Sequence, residues 1–217
     1  MKGDKLQTTV LSVKLIPNVS PDLGKEFNLD TSQRSIGVIT TDSDDVSYTA
    51  LDEATKKADV KVVYAKSFYG GAANANTKLA GEFIGILAGP NPAEVKSGLN
   101  AAIDYIQNEA FFYSAIEDDS IVYFAHVISR TGSYLSTIAG IREGEALAYL
   151  IAPPIESMYA LDAALKAADV RMVAFYGPPS ETNFGGGLLT GSQSACKAAC
   201  DAFADAVQYV ADNPIKY

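Results

Sequence analysis

An internal repeat constrains this chain more than any other feature of its sequence. Residues 50–63 (ALDEATKKADVKVV) recur 110 positions later as residues 160–173 (ALDAALKAADVRMV), and nine of the 14 aligned positions are identical. A weaker match follows, between residues 85–89 and 187–191, at an offset of 102. Because the offset falls from 110 to 102, the loop between the two matching segments is 8 residues longer in the first copy. The sequence therefore predicts a tandem duplication of one α/β unit of about 110 residues.

Each copy alternates apolar strand patterns with helical ones. In the first copy, residues 9–16, 35–40, 60–64 and 82–87 predict strands, and helices are expected from 42 to about 57 and from Asn91-Pro92 onward. In the second copy, strands are expected at 121–129, 147–152, 170–176 and 183–190, before a last helix that stops at Asn213-Pro214. The predicted fold class is α+β, with two tandem domains at residues 1–112 and 113–217. Each domain is expected to be a small antiparallel or mixed sheet with helices packed on one side.

Composition excludes several classes of protein. The 217 residues carry 17 Lys and Arg against 26 Asp and Glu, a formal charge of −9, which disfavours binding to nucleic acid. No apolar run reaches the ~18 residues of a membrane span, and the first residues lack the apolar stretch of a signal peptide. We therefore expect a cytoplasmic protein that binds neither nucleic acid nor membrane.

The residues most often used in metal sites and nucleophilic catalysis are few. Cys196 and Cys200 lie four apart on the apolar face of the last predicted helix, which indicates packing residues. The single histidine, His126, lies in an alternating strand, where an edge-facing or hydrogen-bonded role is favoured over a catalytic one. We expect no metal, no cofactor and no catalytic residues, because no group has the spacing of a metal site or of a nucleophile with its base.

Each of three other features can be explained either by a purely structural role or by ligand binding. The acidic run Asp42-Ser43-Asp44-Asp45 offers N-caps for the helix that follows, yet it has more carboxylates than one cap needs, and the surplus suits a small cation or an ammonium group. Glu82 begins an otherwise apolar strand, so its carboxylate is expected at the solvent edge or paired; its counterpart in the second copy is Phe184. Phe111-Phe112-Tyr113 lies between the copies, either as a packing staple or as an aromatic wall for a cation.

A turn-rich loop occupies the same topological position in each copy. The first spans Phe68 to Thr77 and is rich in Gly, Ala and Asn, whereas its counterpart runs from Gly177 to Thr182. The first loop is not a phosphate-binding loop, because it has neither the Gly-Lys-Ser/Thr ending nor the Gly-x-Gly-x-x-Gly pattern. Long loops of this kind are usually functional or disordered.

Several long motifs resemble one protein family. They are SDDVSY at 43–48, the repeated LDxAxKxADV, AGPNPAE at 88–94, SRTGSYLS at 129–136 and LTGSQSACKAAC at 189–200. Together they are similar to the tandem-domain shell proteins of ethanolamine-utilisation bacterial microcompartments, and the resemblance extends from about residue 9 to 215. It implies two circularly permuted bacterial-microcompartment (BMC) domains. It also implies a homotrimer, in which three chains form a flat pseudohexameric tile that packs edge to edge with other shell proteins in the cytoplasmic organelle.

The resemblance also implies two kinds of passage through the tile. A central pore opens or closes as loops from both copies move. The residues expected in these loops are Phe68, Tyr69, Gly70, Gly71, Pro178, Pro179, Ser180, Glu181, Thr182 and Asn183. Smaller channels lie within each protomer, and we hypothesise that Asp45, Glu82 and Phe112 line one and bind ethanolamine through its ammonium group.

Two other functional classes share some of these features. A small-molecule sensor built from a duplicated α+β domain would share the repeat and the acidic pocket, but it would never form sheets. An enzyme using Asp45, Glu82 and His126 would show turnover, although the sequence lacks a convincing nucleophile or metal set.

Overall fold

The computed structural model describes residues 1–68, 81–180 and 183–216. The chain divides into two compact units. The N-terminal unit comprises Thr8–Ala110 together with a short segment of the second copy, Gly132–Leu135. The C-terminal unit comprises Met1–Gln7, Phe111–Thr131 and Ser136–Tyr217. Each unit therefore contains a short piece of chain that is remote from it in sequence.

The N-terminal unit is a four-stranded antiparallel sheet with two long helices on one face. Its elements are β2 (Val10–Ile16), α1 (Pro21–Glu26), β3 (Ser35–Thr41), α2 (Asp44–Lys57), β4 (Lys61–Ser67), β5 (Phe83–Gly89) and α3 (Pro92–Asn108). The strand order is β2-β3-β5-β4. Because side chains alternate along a strand, Ile39 of β3 is buried on the face that carries α2 and α3, whereas Ile36 belongs to a small cluster on the opposite face with Phe27 and Leu29.

The C-terminal unit repeats this order and adds two strands. Its elements are β1 (Lys5–Leu6), β6 (Phe112–Ser114), β7 (Val122–Ile128), β8 (Ala146–Ala152), α5 (Pro154–Ala167), β9 (Val170–Tyr176), β10 (Gly185–Gly191) and α6 (Gln193–Asp212). A short helix, α4 (Ser133–Ala139), begins in the segment that belongs to the N-terminal unit. The order β1-β6-β7-β8-β10-β9 contains β7-β8-β10-β9, which matches β2-β3-β5-β4 strand for strand.

The predicted α+β fold with antiparallel sheets is confirmed. Asn91 caps α3 as expected, with its side-chain oxygen accepting from the N–H groups of Ala93 and Glu94. Both cysteines are buried free thiols in the core between α5, α6 and the sheet, so the prediction of packing residues is also confirmed. Burial raises the pKa of the Cys200 thiol far above its ordinary value, which leaves the thiol protonated and inert.

The elements absent from the sequence prediction are the strands β1 and β6 and the helices α1, α4 and α5. All of them are short except α5, whose residues the repeat aligns with those of α2. Among the described residues, no helix combines the length and the apolar character needed to cross a membrane.

Candidate ligand site at the start of the second helix

The acidic run leads into the first turn of α2, and its three aspartates take different roles. The N-cap residue is Ser43, whose side chain makes no capping hydrogen bond. Asp42 precedes the N-cap and accepts a hydrogen bond from the Thr9 backbone N–H at 2.7 Å. The acidic run therefore supplies the N-cap residue as expected, at Ser43, whereas Asp44 and Asp45 lie inside the first turn. There they still benefit from the positive end of the helix dipole.

Asp44 is a buried carboxyl group with a small polar network around it. It is 9% exposed, and its Oδ1 accepts from the Asp45 N–H at 2.8 Å. The Ser67 hydroxyl, at the end of β4, hydrogen-bonds to Asp44 and lies 2.7 Å from the hydroxyl oxygen of Tyr48. Burial nevertheless raises the pKa of Asp44, because desolvation of the charged carboxylate outweighs these hydrogen bonds.

Glu82 lies immediately before β5 and is half-buried, close to the acidic run. Its N–H donates to the Thr41 carbonyl at 2.8 Å, and its carbonyl accepts from the Phe68 N–H at 2.9 Å. Burial raises the pKa of the Glu82 carboxyl, and the negative charges of Asp44 and Asp42 raise it further. The fold thus gathers carboxyl groups from the end of β3, the first turn of α2 and the start of β5 into one acidic cluster, which we define as Asp42, Asp44, Asp45 and Glu82.

The three residues expected to bind ethanolamine lie in different units. Asp45 and Glu82 belong to the N-terminal unit, and Asp45 is 6% exposed. Phe112 belongs to β6 of the C-terminal unit, where its ring stacks on Phe124 at a centroid distance of 5.2 Å and lies 6.3 Å from Phe184. Sequence reasoning missed Tyr48 and Ser67, although Tyr48 follows Asp44 by one helical turn.

The expected pore loops are only partly described. The Phe68 N–H closes the base of the first loop by bonding to Glu82. In the second loop, the Ser180 N–H donates to the Phe184 carbonyl at 2.8 Å, and Asn183 has a φ of 68°. The peptide bond between Pro178 and Pro179 is cis. Tyr69, Gly70, Gly71, Glu181 and Thr182 lie outside the described residues.

The remaining candidates are packing residues in the C-terminal unit. His126 stacks on Phe124 at 5.3 Å, on a strand that lies between β6 and β8 and not at the sheet edge. The Phe111 ring lies 4.4 Å from the Lys5 ammonium, so it already has a cation on its face. No group of three or more His, Cys, Asp and Glu among residues 1–68, 81–180 and 183–216 is arranged to hold a metal ion.

Asp52 holds the Gly132–Leu135 segment on the N-terminal unit. Its carboxylate is fully buried and accepts from the Gly132 N–H at 2.7 Å and the Leu135 N–H at 2.8 Å. Thr55, one turn further along α2, accepts from the Ser133 N–H at 3.2 Å. A side chain at position 132 would place its Cβ 2.3 Å from the Thr55 Oγ1, so only glycine fits this contact. Sequence reasoning missed the role of Asp52 in holding this segment. Asp162 occupies the same position in the second copy, so Asp52 was read only as part of the repeat.

Comparisons with known proteins agree with the duplicated fold. Residues 35–117 match the model of the BMC domain. The bacterial microcompartment shell protein EutL of Clostridium perfringens is 68% identical over the whole of both chains, and that of Escherichia coli is 52% identical over 98% of this chain and 97% of its own. The crystal structure of the ethanolamine utilization protein EutL from Leptotrichia buccalis is 76% identical, covers both chains completely and superposes with a TM-score of 0.97. By full-length identity and fold, the chain belongs to the EutL family of bacterial microcompartment shell proteins.

Proposed function

We propose that three copies of this chain form a pseudohexameric tile in the shell of an ethanolamine-utilisation microcompartment. The names of the relatives indicate a role in a microcompartment shell and in ethanolamine utilisation. The duplication supports the geometry, because two similar units per chain give six similar wedges when three chains close into a ring. The role is structural and selective, with other shell proteins as edge-to-edge neighbours, and not catalytic.

The acidic cluster carries the second part of the proposal, which is that the protein binds ethanolamine. Ethanolamine has an ammonium group that donates hydrogen bonds and a hydroxyl that both donates and accepts them. Asp45 and Glu82, both in the N-terminal unit, supply carboxylates for the ammonium. The single observation that favours a cation is the gathering of carboxyl groups around Glu82. Burial raises the pKa of Glu82, the charges of Asp44 and Asp42 raise it further, and a bound ammonium would offset both effects.

The loops between β4 and β5 and between β9 and β10 are proposed to line the central pore. They connect equivalent strands in the two units, so a ring of three chains brings six such loops to one axis. A loop that switches between two conformations opens or closes the pore.

Removal of either proposed ligand carboxylate is expected to abolish most ethanolamine binding. Asp45→Ala and Glu82→Ala should each weaken binding by tenfold or more, since a charge-assisted hydrogen bond contributes about 1.5–3 kcal/mol. The measurement is isothermal titration of ethanolamine into each variant and into the unaltered protein at pH 8.

Asp201→Ala is the matched control, because Asp201 is an exposed acid on α6 whose partner is Lys197. The control removes the same charge from the chain and should bind as the unaltered protein does. Equal affinity in all four proteins would contradict the proposed site.

A further inference from the structure

Two hydroxyl groups connect the buried Asp44 carboxyl to its surroundings in the N-terminal unit. The Ser67 hydroxyl hydrogen-bonds to Asp44, and the hydroxyl oxygens of Ser67 and Tyr48 lie 2.7 Å apart. A serine hydroxyl has a single proton, so when Ser67 donates to the Asp44 carboxylate, Tyr48 must donate to Ser67. Hydrogen bonds therefore run in one direction, from Tyr48 through Ser67 to the carboxylate, and we call these two groups the hydroxyl pair.

The fold fixes the position of both hydroxyls. The Tyr48 ring packs edge-on against Phe83 at a centroid distance of 4.9 Å and stacks on Tyr134 at 6.3 Å. Phe83 is fully buried at the start of β5, and Ser67, the last residue of β4, is its partner in the antiparallel ladder. Because one ring is held between two others and the serine is held in a sheet, the hydroxyl pair has a set direction toward Asp44.

The second copy forms an equivalent sheet and helices without either hydroxyl. At the offset of 110 that aligns α2 with α5 and β4 with β9, Met158 takes the place of Tyr48 and Gly177 that of Ser67. The acids are absent there as well: the residues aligned with Asp44, Asp45 and Glu82 are Pro154, Ile155 and Phe184. The duplicated fold therefore does not require the hydroxyl pair, which occurs only in the copy that has the acids.

The hydroxyl pair acts on the charge of Asp44. Burial raises the pKa of Asp44, and the hydrogen bond from Ser67 is the largest effect that opposes burial. The neighbouring titratable groups are acids: Asp45 hydrogen-bonds to Asp44, and Glu82 is affected by the charges of both Asp44 and Asp42. No Lys or Arg of the described chain forms an ion pair with Asp44. The charge of Asp44 is thus maintained by hydrogen-bond donors and not by a cation.

We propose that Tyr48 and Ser67 are positioning residues for ethanolamine, because they hold Asp44 as a carboxylate whose negative charge adds to those of Asp45 and Glu82. The proposal rests on the proposed ethanolamine site and names the groups that set its charge. Asp44 is only 9% exposed, and it need not touch the ligand, since its charge already acts on Glu82. The same charge attracts an ammonium group bound at Glu82, so ionised Asp44 strengthens binding.

A pH dependence that the hydroxyl pair controls is the consequence. The ammonium of ethanolamine, like that of lysine, stays protonated between pH 5 and 8, so loss of affinity toward pH 5 reports on the carboxyl groups. Without the Ser67 hydroxyl, the pKa of Asp44 rises further and the carboxylate is neutralised at a higher pH. The acid limb of the binding profile should therefore move to higher pH, whereas the carboxylate is ionised at pH 8 with or without the hydroxyl.

Titration of ethanolamine into Ser67→Ala and Tyr48→Phe from pH 5 to pH 8 tests the proposal. In Ser67→Ala, the midpoint of the acid limb should rise by about 1 pH unit, the change in proton binding expected for one lost hydrogen bond to a carboxylate. At pH 8 its affinity should stay within about threefold of that of the unaltered protein, less than one hydrogen bond to the ligand contributes. Tyr48→Phe should shift the limb in the same direction by less, because Ser67 still donates to Asp44. Ser67→Thr keeps the hydroxyl and should restore the profile.

Two control variants make the same chemical changes elsewhere in the N-terminal unit. Ser32→Ala removes a hydroxyl that donates to the Asp30 carboxylate. Tyr64→Phe removes the hydroxyl of a tyrosine on β4 that is 39% exposed. Both variants should bind ethanolamine with the affinity of the unaltered protein at every pH.

The outcomes separate this inference from the proposed site. If the unaltered protein does not bind ethanolamine at pH 8, the proposed site is wrong and the inference falls with it. If the unaltered protein binds, but Ser67→Ala and Tyr48→Phe either keep its profile or lose the same factor at every pH, the proposed site stands and the inference is wrong. A limb that moves to higher pH in both variants and returns in Ser67→Thr supports the inference.

Discussion

Asp52→Ala is expected to lower the free energy of unfolding by about 3 kcal/mol. The carboxylate is fully buried and is the acceptor for two backbone N–H groups, those of Gly132 and Leu135. Alanine would leave both N–H groups without this acceptor, at a cost of about 1–3 kcal/mol for each buried unpaired group. Thermal and urea unfolding of the variant and the unaltered protein measure this loss, and we expect the melting temperature to fall by about 6–12 °C.

Two further variants make this prediction specific. Asp52→Asn keeps the shape but presents an NH₂ group to one of the two N–H groups, so its loss should fall between those of alanine and the unaltered protein. Asp201→Ala removes an exposed acid from an i,i+4 pair and should change stability by less than about 0.5 kcal/mol. If Asp52→Ala unfolds like Asp201→Ala, the buried carboxylate does not hold the Gly132–Leu135 segment.

Gly186→Ala is expected to cost more than about 4 kcal/mol, or to prevent folding of the C-terminal unit. Gly186 has a φ of 154° and lies in β10 between β8 and β9. A Cβ there would lie 1.8 Å from the Leu150 carbonyl oxygen and 2.8 Å from its carbonyl carbon, and both are backbone atoms that cannot rotate away. Only a shift of the central strands would relieve the overlap. The amount of soluble protein and the urea midpoint are the readouts.

Gly24→Ala is the matched control, because it makes the same chemical change in α1. Its Cβ would approach no neighbouring heavy atom closer than 3.7 Å, an ordinary van der Waals distance. Alanine also has the higher helix propensity, so stability should stay unchanged or rise by up to about 1 kcal/mol. A Gly186→Ala variant with the urea midpoint of the unaltered protein would contradict the observed strand spacing.

The long elements could be predicted from the sequence because each carries its own periodic signal. The strand pattern at residues 9–16 and the apolar seam of the last helix each fix an element without knowledge of the rest of the fold. Because the second copy repeats the first, its architecture could be predicted from that of the first copy. Two-residue and three-residue strands such as β1 and β6 are too short to show such a period, and β1 pairs with a strand about 110 residues further along the chain.

The candidate site was only partly predictable for a related reason. The acidic run and Glu82 stand out as charged residues beside apolar strands, and the fold does bring Glu82 near Asp44 and Asp42. The N-cap was expected within the run 42–45, and the backbone places it at Ser43. Local sequence could not choose among the four residues, because Asp and Ser are both favoured at an N-cap. The roles of Asp52 and Asp162 differ although their local sequences match, since burial of Asp52 depends on a distant segment.

The trimeric tile is the central claim, and native mass with electron microscopy tests it most directly. Light scattering should give three times 22.9 kDa, about 69 kDa, and concentrated samples should form flat sheets of regularly packed particles. A monomer or dimer that never forms sheets would contradict the tile.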